Sequence, residues 1–175
     1  MPLAVEVLTA AIAVALYLRY GLSLRSLELF IASLVLIHTG AVDFKIRMID
    51  TLVMVVAALA ALALAPLNDL SWFISLIGLA TAAVIFLFFF LLAKLLFPGH
   101  AAPFGLGDVF LAAFIGALVG FFALPFALFW GMLMAGAVAL AIIIIRATGR
   151  PVPVYLAYGT YLCLGALLYL AVGNS

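Results

Sequence analysis

Residues 72–97 read WFISLIGLATAAVIFLFFFLLAKLLF, a run in which Lys94 is the only charged side chain. A bilayer core about 30 Å thick is crossed by roughly 20 apolar residues in a helix, with about 17 to 25 tolerated, so this stretch is predicted as a transmembrane helix. Its apolar residues are continuous rather than alternating, which excludes a strand of a membrane barrel. Helices are then the remaining way to pair every backbone N–H and C=O inside hydrocarbon.

The rest of the chain follows the same pattern. Of its 175 residues, 71% are hydrophobic and 7% charged, whereas a soluble domain carries roughly a quarter charged residues. A soluble globule is excluded. Apolar stretches recur at Leu3 to Leu18, Leu24 to Val42, Thr51 to Leu67, Trp72 to Phe97, Asp108 to Ala123, Leu124 to Ile145 and Val154 to Val172. The joint between the fifth and sixth, GFFALPF, carries no charge. Nearly forty apolar residues are too many for one span, however, and Pro125 suits the first turn of a new helix. The expectation is an all-α, polytopic transmembrane bundle of six to seven spans, with residues 1–175 as one domain and no soluble insert. Small residues at helical spacing, Gly116 with Gly120 and Gly131 with Ala135, are expected to permit close helix packing. The aromatic run Phe86 to Phe90 is expected to face lipid.

Charge narrows the function. A net charge of +1 with no basic run gives no footprint for nucleic acid. Cys163 is the only cysteine, so neither an intramolecular disulfide nor a cysteine-ligated zinc site can form. Two dispersed histidines, His38 and His100, match no metal-ligand spacing, and no G-x-S-x-G elbow offers a serine nucleophile. No cofactor and no metal are therefore expected. The first segment holds Glu6 and no Lys or Arg before Arg19; it lacks the basic region of a signal peptide and reads as a permanent span. Lys45, Arg47, Lys94, Arg146 and Arg150 fall in one alternating set of loops, Arg19 and Arg25 in the other. The positive-inside rule then places the N-terminus and the loops bearing Asp43 and Asp108 in the cytoplasm, with the plasma membrane as location. Two spans separate Asp43 from Asp108, so both carboxylates share a face whichever way the protein inserts.

Those two acids are the candidates for chemistry. Glu6, Glu28 and Asp69 read as solvated or snorkelling positions near segment ends. Asp43 lies in HTGAVDFKIRMID at the end of the second span, and Asp108 in PFGLGDVFLAAF at the start of the fifth. Each has a purely structural reading. Asp43 can pair with Arg47 one turn on, and Asp108 can cap the helix it opens. The functional reading brings the two together, where like charges at close range share one proton. The ionised partner then serves as base on a water and the protonated one as acid on an amide. Gly105 and Gly107, without side chains, would let a substrate backbone approach. His38, a turn before Asp43, reads as a hydrogen bonder between helices, and His100 as a loop residue.

In these residues the chain resembles the type IV prepilin peptidases and their preflagellin relatives, membrane aspartic proteases with a G-x-G-D motif. The similarity lies in three blocks. Asp43-Phe-Lys-Ile-Arg-Met-Ile49 matches an Asp at a helix end followed by a basic stretch and Ile-Pro, with Asp50 where Pro is usual. Gly105-Leu-Gly107-Asp108-Val109 matches G-x-G-D-V-K-L, with Phe110 in place of Lys and Leu111 retained. Tyr158-Gly159-Thr160-Tyr161-Leu162-Cys163-Leu164-Gly165-Ala166 is similar to F-G-P-F-L-A-L-G-A, with Thr160 in place of Pro. The resemblance implies a catalytic dyad of Asp43 and Asp108, with Gly105 and Gly107 shaping the substrate approach. It implies cleavage of a basic leader from prepilin-like or preflagellin-like precursors at the cytoplasmic membrane face. Members that also methylate the new N-terminus carry an insert with paired CxxC motifs, which this chain lacks, so methyl transfer is not expected. Two other readings compete. The presenilin and signal peptide peptidase group shares G-L-G-D, but its Pro-Ala-Leu motif is approached here only by LPFAL at Leu124 to Leu128, too close to Asp108. A small transporter or assembly protein could use the two Asp to carry protons or merely to cap helices; a proton path would need polar residues continuing through the bilayer, and segments three to six are almost free of them.

Overall fold

The structure, a computed structural model, describes residues 2–68, 70–96, 105–148 and 156–173. Asp69, His100 and Arg150 lie outside the described residues, so the readings given to them above are not addressed by it. All regular structure among the described residues is helical. The helices are α1 (Pro2–Tyr20), α2 (Leu24–Ile46), α3 (Thr51–Leu64), α4 (Trp72–Leu96), α5 (Leu106–Val119), α6 (Leu124–Ala147) and α7 (Tyr158–Val172). A 3-10 turn, Ala65–Asn68, extends α3. It begins next to Pro66, which has no N–H for the next α-helical bond.

Each helix coincides with one of the seven expected stretches, with ends that differ by up to about four residues. Leu3–Tyr20 in α1, and α2, α4 and α6, are long and apolar enough to cross a membrane on their own. In contrast, α3, α5 and α7 have 14, 14 and 15 residues, or about 21 to 23 Å at 1.5 Å per residue. The chain is a membrane protein whose seven helices are therefore not equivalent spans. Local chemistry sets the boundaries. Ser23 caps α2 through the Ser26 N–H, and α2 runs past Val42 until Arg47 adopts a left-handed φ of 54°. Asp50 caps α3 by accepting from the Leu52 and Val53 N–H groups. This explains an acidic residue at that point without any catalytic role. Helix α5 stops at Val119, earlier than Ala123, because Gly120 takes a φ of 76° and breaks the helix.

Helix α5 is the centre of the bundle: every residue from Leu111 to Val119 is buried. It packs chiefly on α4 and α3, while α7 packs on α6 and α2, and α1 covers α2. Between helices in lipid the attraction comes from van der Waals packing and hydrogen bonds rather than from expelled water. Small residues supply the first. Gly78 of α4 and Gly116 of α5 bring their backbones together so closely that a Cβ on either would collide with the other's carbonyl group. In the second helix pair a Cβ on Gly165 of α7 would collide with the Gly131 backbone N and the Ala127 carbonyl of α6, and one on Gly131 would press on the Tyr161 carbonyl of α7. Of the small residues named from spacing, Gly116, Gly131 and the buried Ala135 lie where expected. Gly120 instead ends α5. The Ser75 hydroxyl, fully buried, donates to the Ala117 carbonyl at 2.6 Å and ties α4 to α5.

Three expectations about side chains require correction. Phe86 is buried, with its ring 6.4 Å from that of Tyr158, while Phe88 and Phe89 of the same run are exposed. A five-residue run spans more than one turn of helix, so it cannot present a single face. Glu28 is buried rather than solvated, because its position on α2 turns toward α3 and α5. His38 is exposed on the outer face of α2 and does not bridge helices.

Candidate active site

The N-terminal ends of α5 and α7 meet the C-terminal end of α2. Asp43 is 5% exposed and Asp108 is 9% exposed, so both carboxylates are inside the protein. Gly159, in the first turn of α7, lies between them. A Cβ placed on Gly159 would be 3.0 Å from Asp43 Oδ2 and 3.2 Å from Asp108 Oδ1. The two oxygens can be no farther apart than the sum of those distances. Only glycine leaves this gap open, since the same Cβ would also stand 2.7 Å from Ile49 Cδ1.

Each carboxylate is held at the start of a helix, where the first N–H groups have no partner of their own. Asp108 is the third residue of α5, and its Oδ2 accepts the Gly105 N–H at 2.9 Å. Gly105, not Asp108, is the N-cap residue, and because glycine has no side chain only this return bond forms. Asp43 acts across the fold. Its Oδ2 accepts the Thr160 N–H at 2.7 Å and lies 3.0 Å from Thr160 Oγ1. The N-cap residue of α7, Ala157, makes no side-chain cap, so a carboxylate from α2 fills that place. Negative charge at a helix N-terminus is favoured by the N–H groups and by the helix dipole.

The ion pair that spacing suggested between Asp43 and Arg47 is replaced by this arrangement. Arg47 engages Asp43 through the main chain, its N–H donating to the Asp43 carbonyl at 2.8 Å. Lys45 and Arg47 themselves are exposed. The two glycines named for substrate approach differ. Among the described residues a Cβ on Gly105 would meet nothing nearer than 3.8 Å, whereas one on Gly107 would stand 2.7 Å from Ile49 Cβ. Gly107 thus lets Ile49 pack over the start of α5, and Gly105 is the one bordering open space.

Asp43 and Asp108 stand out in the sequence, whereas Gly159, Thr160 and Ile49 carry no role there and gain one from the fold. The signal was present in the third block, where Gly159 and Thr160 stand together, at what the structure shows to be the first turn of α7. Thr160 occupies the position where the resemblance pattern carries proline, and a proline would have no N–H to give Asp43. Among the described residues no group of three or more His, Cys, Asp or Glu side chains could hold a metal ion.

A family model described as the type IV leader peptidase family matches residues 30–140, a stretch that contains both aspartates. No curated protein and no solved structure matches the chain.

Proposed function

Since the chain belongs to the type IV leader peptidase family, and is thus a peptidase of the membrane, we propose that it hydrolyses its substrate as an aspartic endopeptidase with Asp43 and Asp108 as the catalytic pair. One observation carries this reading: two buried carboxylates from helices far apart in sequence face each other across Gly159. Two like charges this close favour a state with one shared proton. A water between them can then give a proton to the ionised carboxylate while its oxygen attacks the scissile carbonyl carbon. The protonated partner hydrogen-bonds the carbonyl oxygen and later supplies the proton to the leaving nitrogen. The bond broken is the amide C–N, the bond formed is C–O, and the protons balance without metal or covalent intermediate.

The substrate class follows from family and site together. We read the client as a prepilin-like or preflagellin-like precursor whose basic leader is removed next to an apolar helix. The dyad lies at the end of α2 that carries exposed Lys45 and Arg47, and by the positive-inside rule this is the cytoplasmic end. A helical client in the bilayer would present the start of its apolar helix at this depth. Gly105, exposed beside Asp108, provides a stretch of backbone without a side chain that an extended peptide can approach.

The test is cleavage of a reporter precursor, a Lys/Arg leader joined to an apolar membrane helix, by purified enzyme in vesicles. Asp43→Asn and Asp108→Asn should each lower the rate about a thousandfold or more, while both variants still insert. Cleavage at the wild-type rate by either would end the aspartic assignment.

A further inference from the structure

We infer that Thr160 is a positioning residue that holds Asp43 as the ionised member of the pair, making Asp43 the base and Asp108 the acid. This deepens the aspartic reading and rests on it. The geometry is asymmetric. Asp43 Oδ2, the oxygen nearest the gap at Gly159, has two donors from Thr160 within reach, the N–H at 2.7 Å and Oγ1 at 3.0 Å. Asp108 accepts a single N–H, from Gly105, and does so on Oδ2, turned away from the gap. Its Oδ1, which faces Gly159, takes none of the hydrogen bonds found among the described residues.

Proton counting turns this asymmetry into roles. A main-chain N–H donates at every pH, so Asp43 Oδ2 must be an acceptor. The Thr160 hydroxyl has one proton and two acceptors at 3.0 Å, Asp43 Oδ2 and the Gly40 carbonyl. A charged acceptor forms the stronger bond. With Asp43 ionised, the hydroxyl donates to it, and with Asp43 protonated it is left with Gly40 and its contribution to the charged form is lost. Both donors thus favour the carboxylate. The shared proton has its place on Asp108 Oδ1, from which it can reach the carbonyl oxygen of a bound peptide.

Among the described residues the other ionisable groups around Asp43 are few. Asp108 faces it from α5, Cys163 of α7 lies in the field of both acids and Tyr158 of α7 in that of Asp108, and Tyr161 of α7 lines the groove beside Gly40 and Thr160. From α1 the residues lining the groove beside Gly40 are Ala4, Val5 and Leu8, none of them titratable. On α2 itself Lys45, Arg47 and His38 are exposed, as is Asp50 at the head of α3. None of these side chains is altered in a Thr160 series, so a shift in that series reports on the pair through the carboxylate that Thr160 touches.

The experiment is a rate-against-pH profile for cleavage of the reporter precursor by wild type, Thr160→Ser, Thr160→Val and Thr160→Pro. Serine keeps both donors, valine removes the hydroxyl, and proline removes both at a first-turn position that tolerates it. Removing a donor weakens the hold on the charged form of the base, so the acid limb of the rate profile should move up by about one pH unit in Thr160→Val and further in Thr160→Pro. Thr160→Ser should keep the wild-type limb. Should Thr160→Pro fail to fold, the serine and valine pair still decides. A wild-type acid limb in Thr160→Val, with Asp43→Asn inactive, overturns the role of Thr160 alone. An active Asp43→Asn overturns the aspartic reading beneath it.

Discussion

Helix α2 carries two buried acids, and their surroundings differ completely. Glu28 and Asp43 are 7% and 5% exposed, separated by about 22 Å of helix at 1.5 Å per residue. Glu28 borders a small apolar cavity lined by residues such as Ile31, Ala57, Phe114 and Leu118. Asp43 meets the N-terminus of α7 and a second carboxylate. Burial of an acid is therefore not what marks the site. What marks it is convergence: two helix N-termini, each giving an N–H to one of the carboxylates, and a glycine that leaves room between the two side chains.

Replacements at the dyad end should break this contrast most severely. Gly159→Ala puts a methyl group into the gap between Asp43 and Asp108 and against Ile49. Displacing reacting groups by about 1 Å can cost about a hundredfold, so cleavage of the reporter precursor should fall at least that far, with the fold retained by circular dichroism. Full activity in Gly159→Ala would mean that the carboxylates do not act across this gap. Next comes the packing that sets the gap. Gly116→Val forces α5 away from Gly78 of α4, and overpacking of this kind destabilises by about 3 kcal/mol. Thermal unfolding in detergent should show a clear drop for Gly116→Val, with lost activity following lost stability.

Smaller effects sharpen the comparison. Asp50→Ala removes the one oxygen that accepts two N–H groups at the head of α3 and should cost about 1 kcal/mol. Because Asp50 is exposed and has no carboxylate opposite, the change should appear in unfolding and not in the cleavage rate. At the far end of α2, Glu28→Gln should leave cleavage at the wild-type rate. A lost rate in Glu28→Gln would show that the two buried acids are functionally joined after all.

How much of this could be read from the chain depends on whether the cause is local. The helices were legible because span length and Pro125 act within a turn or two of themselves, and Leu24, Thr51, Trp72 and Leu124 begin their helices as expected, whereas the stops at Pro66 and Gly120 were not foreseen. Asp43 and Asp108 were legible as acids at ends of apolar segments that an even number of crossings returns to one face. The burial of Phe86 and Glu28 and the exposure of His38 were not, because they depend on the rotation of α4 and α2 against neighbours of almost uniform hydrophobicity. The helices carry too few polar residues to define a face. Thr160 was visible only as a departure from a pattern. Its bond to Asp43 joins residues 117 positions apart, and nothing local to α7 announces that Ala157 leaves the helix start for a carboxylate from α2 to fill.

The central claim is that Asp43 and Asp108 work as one unit. Cleavage rates of Asp43→Asn, Asp108→Asn and the double variant, measured on one precursor in one vesicle preparation, test it directly. Groups that divide one proton between them lose their function together, so the double variant should be no slower than either single one. A double variant slower by the product of the two single losses would show two independent carboxylates and contradict the shared site.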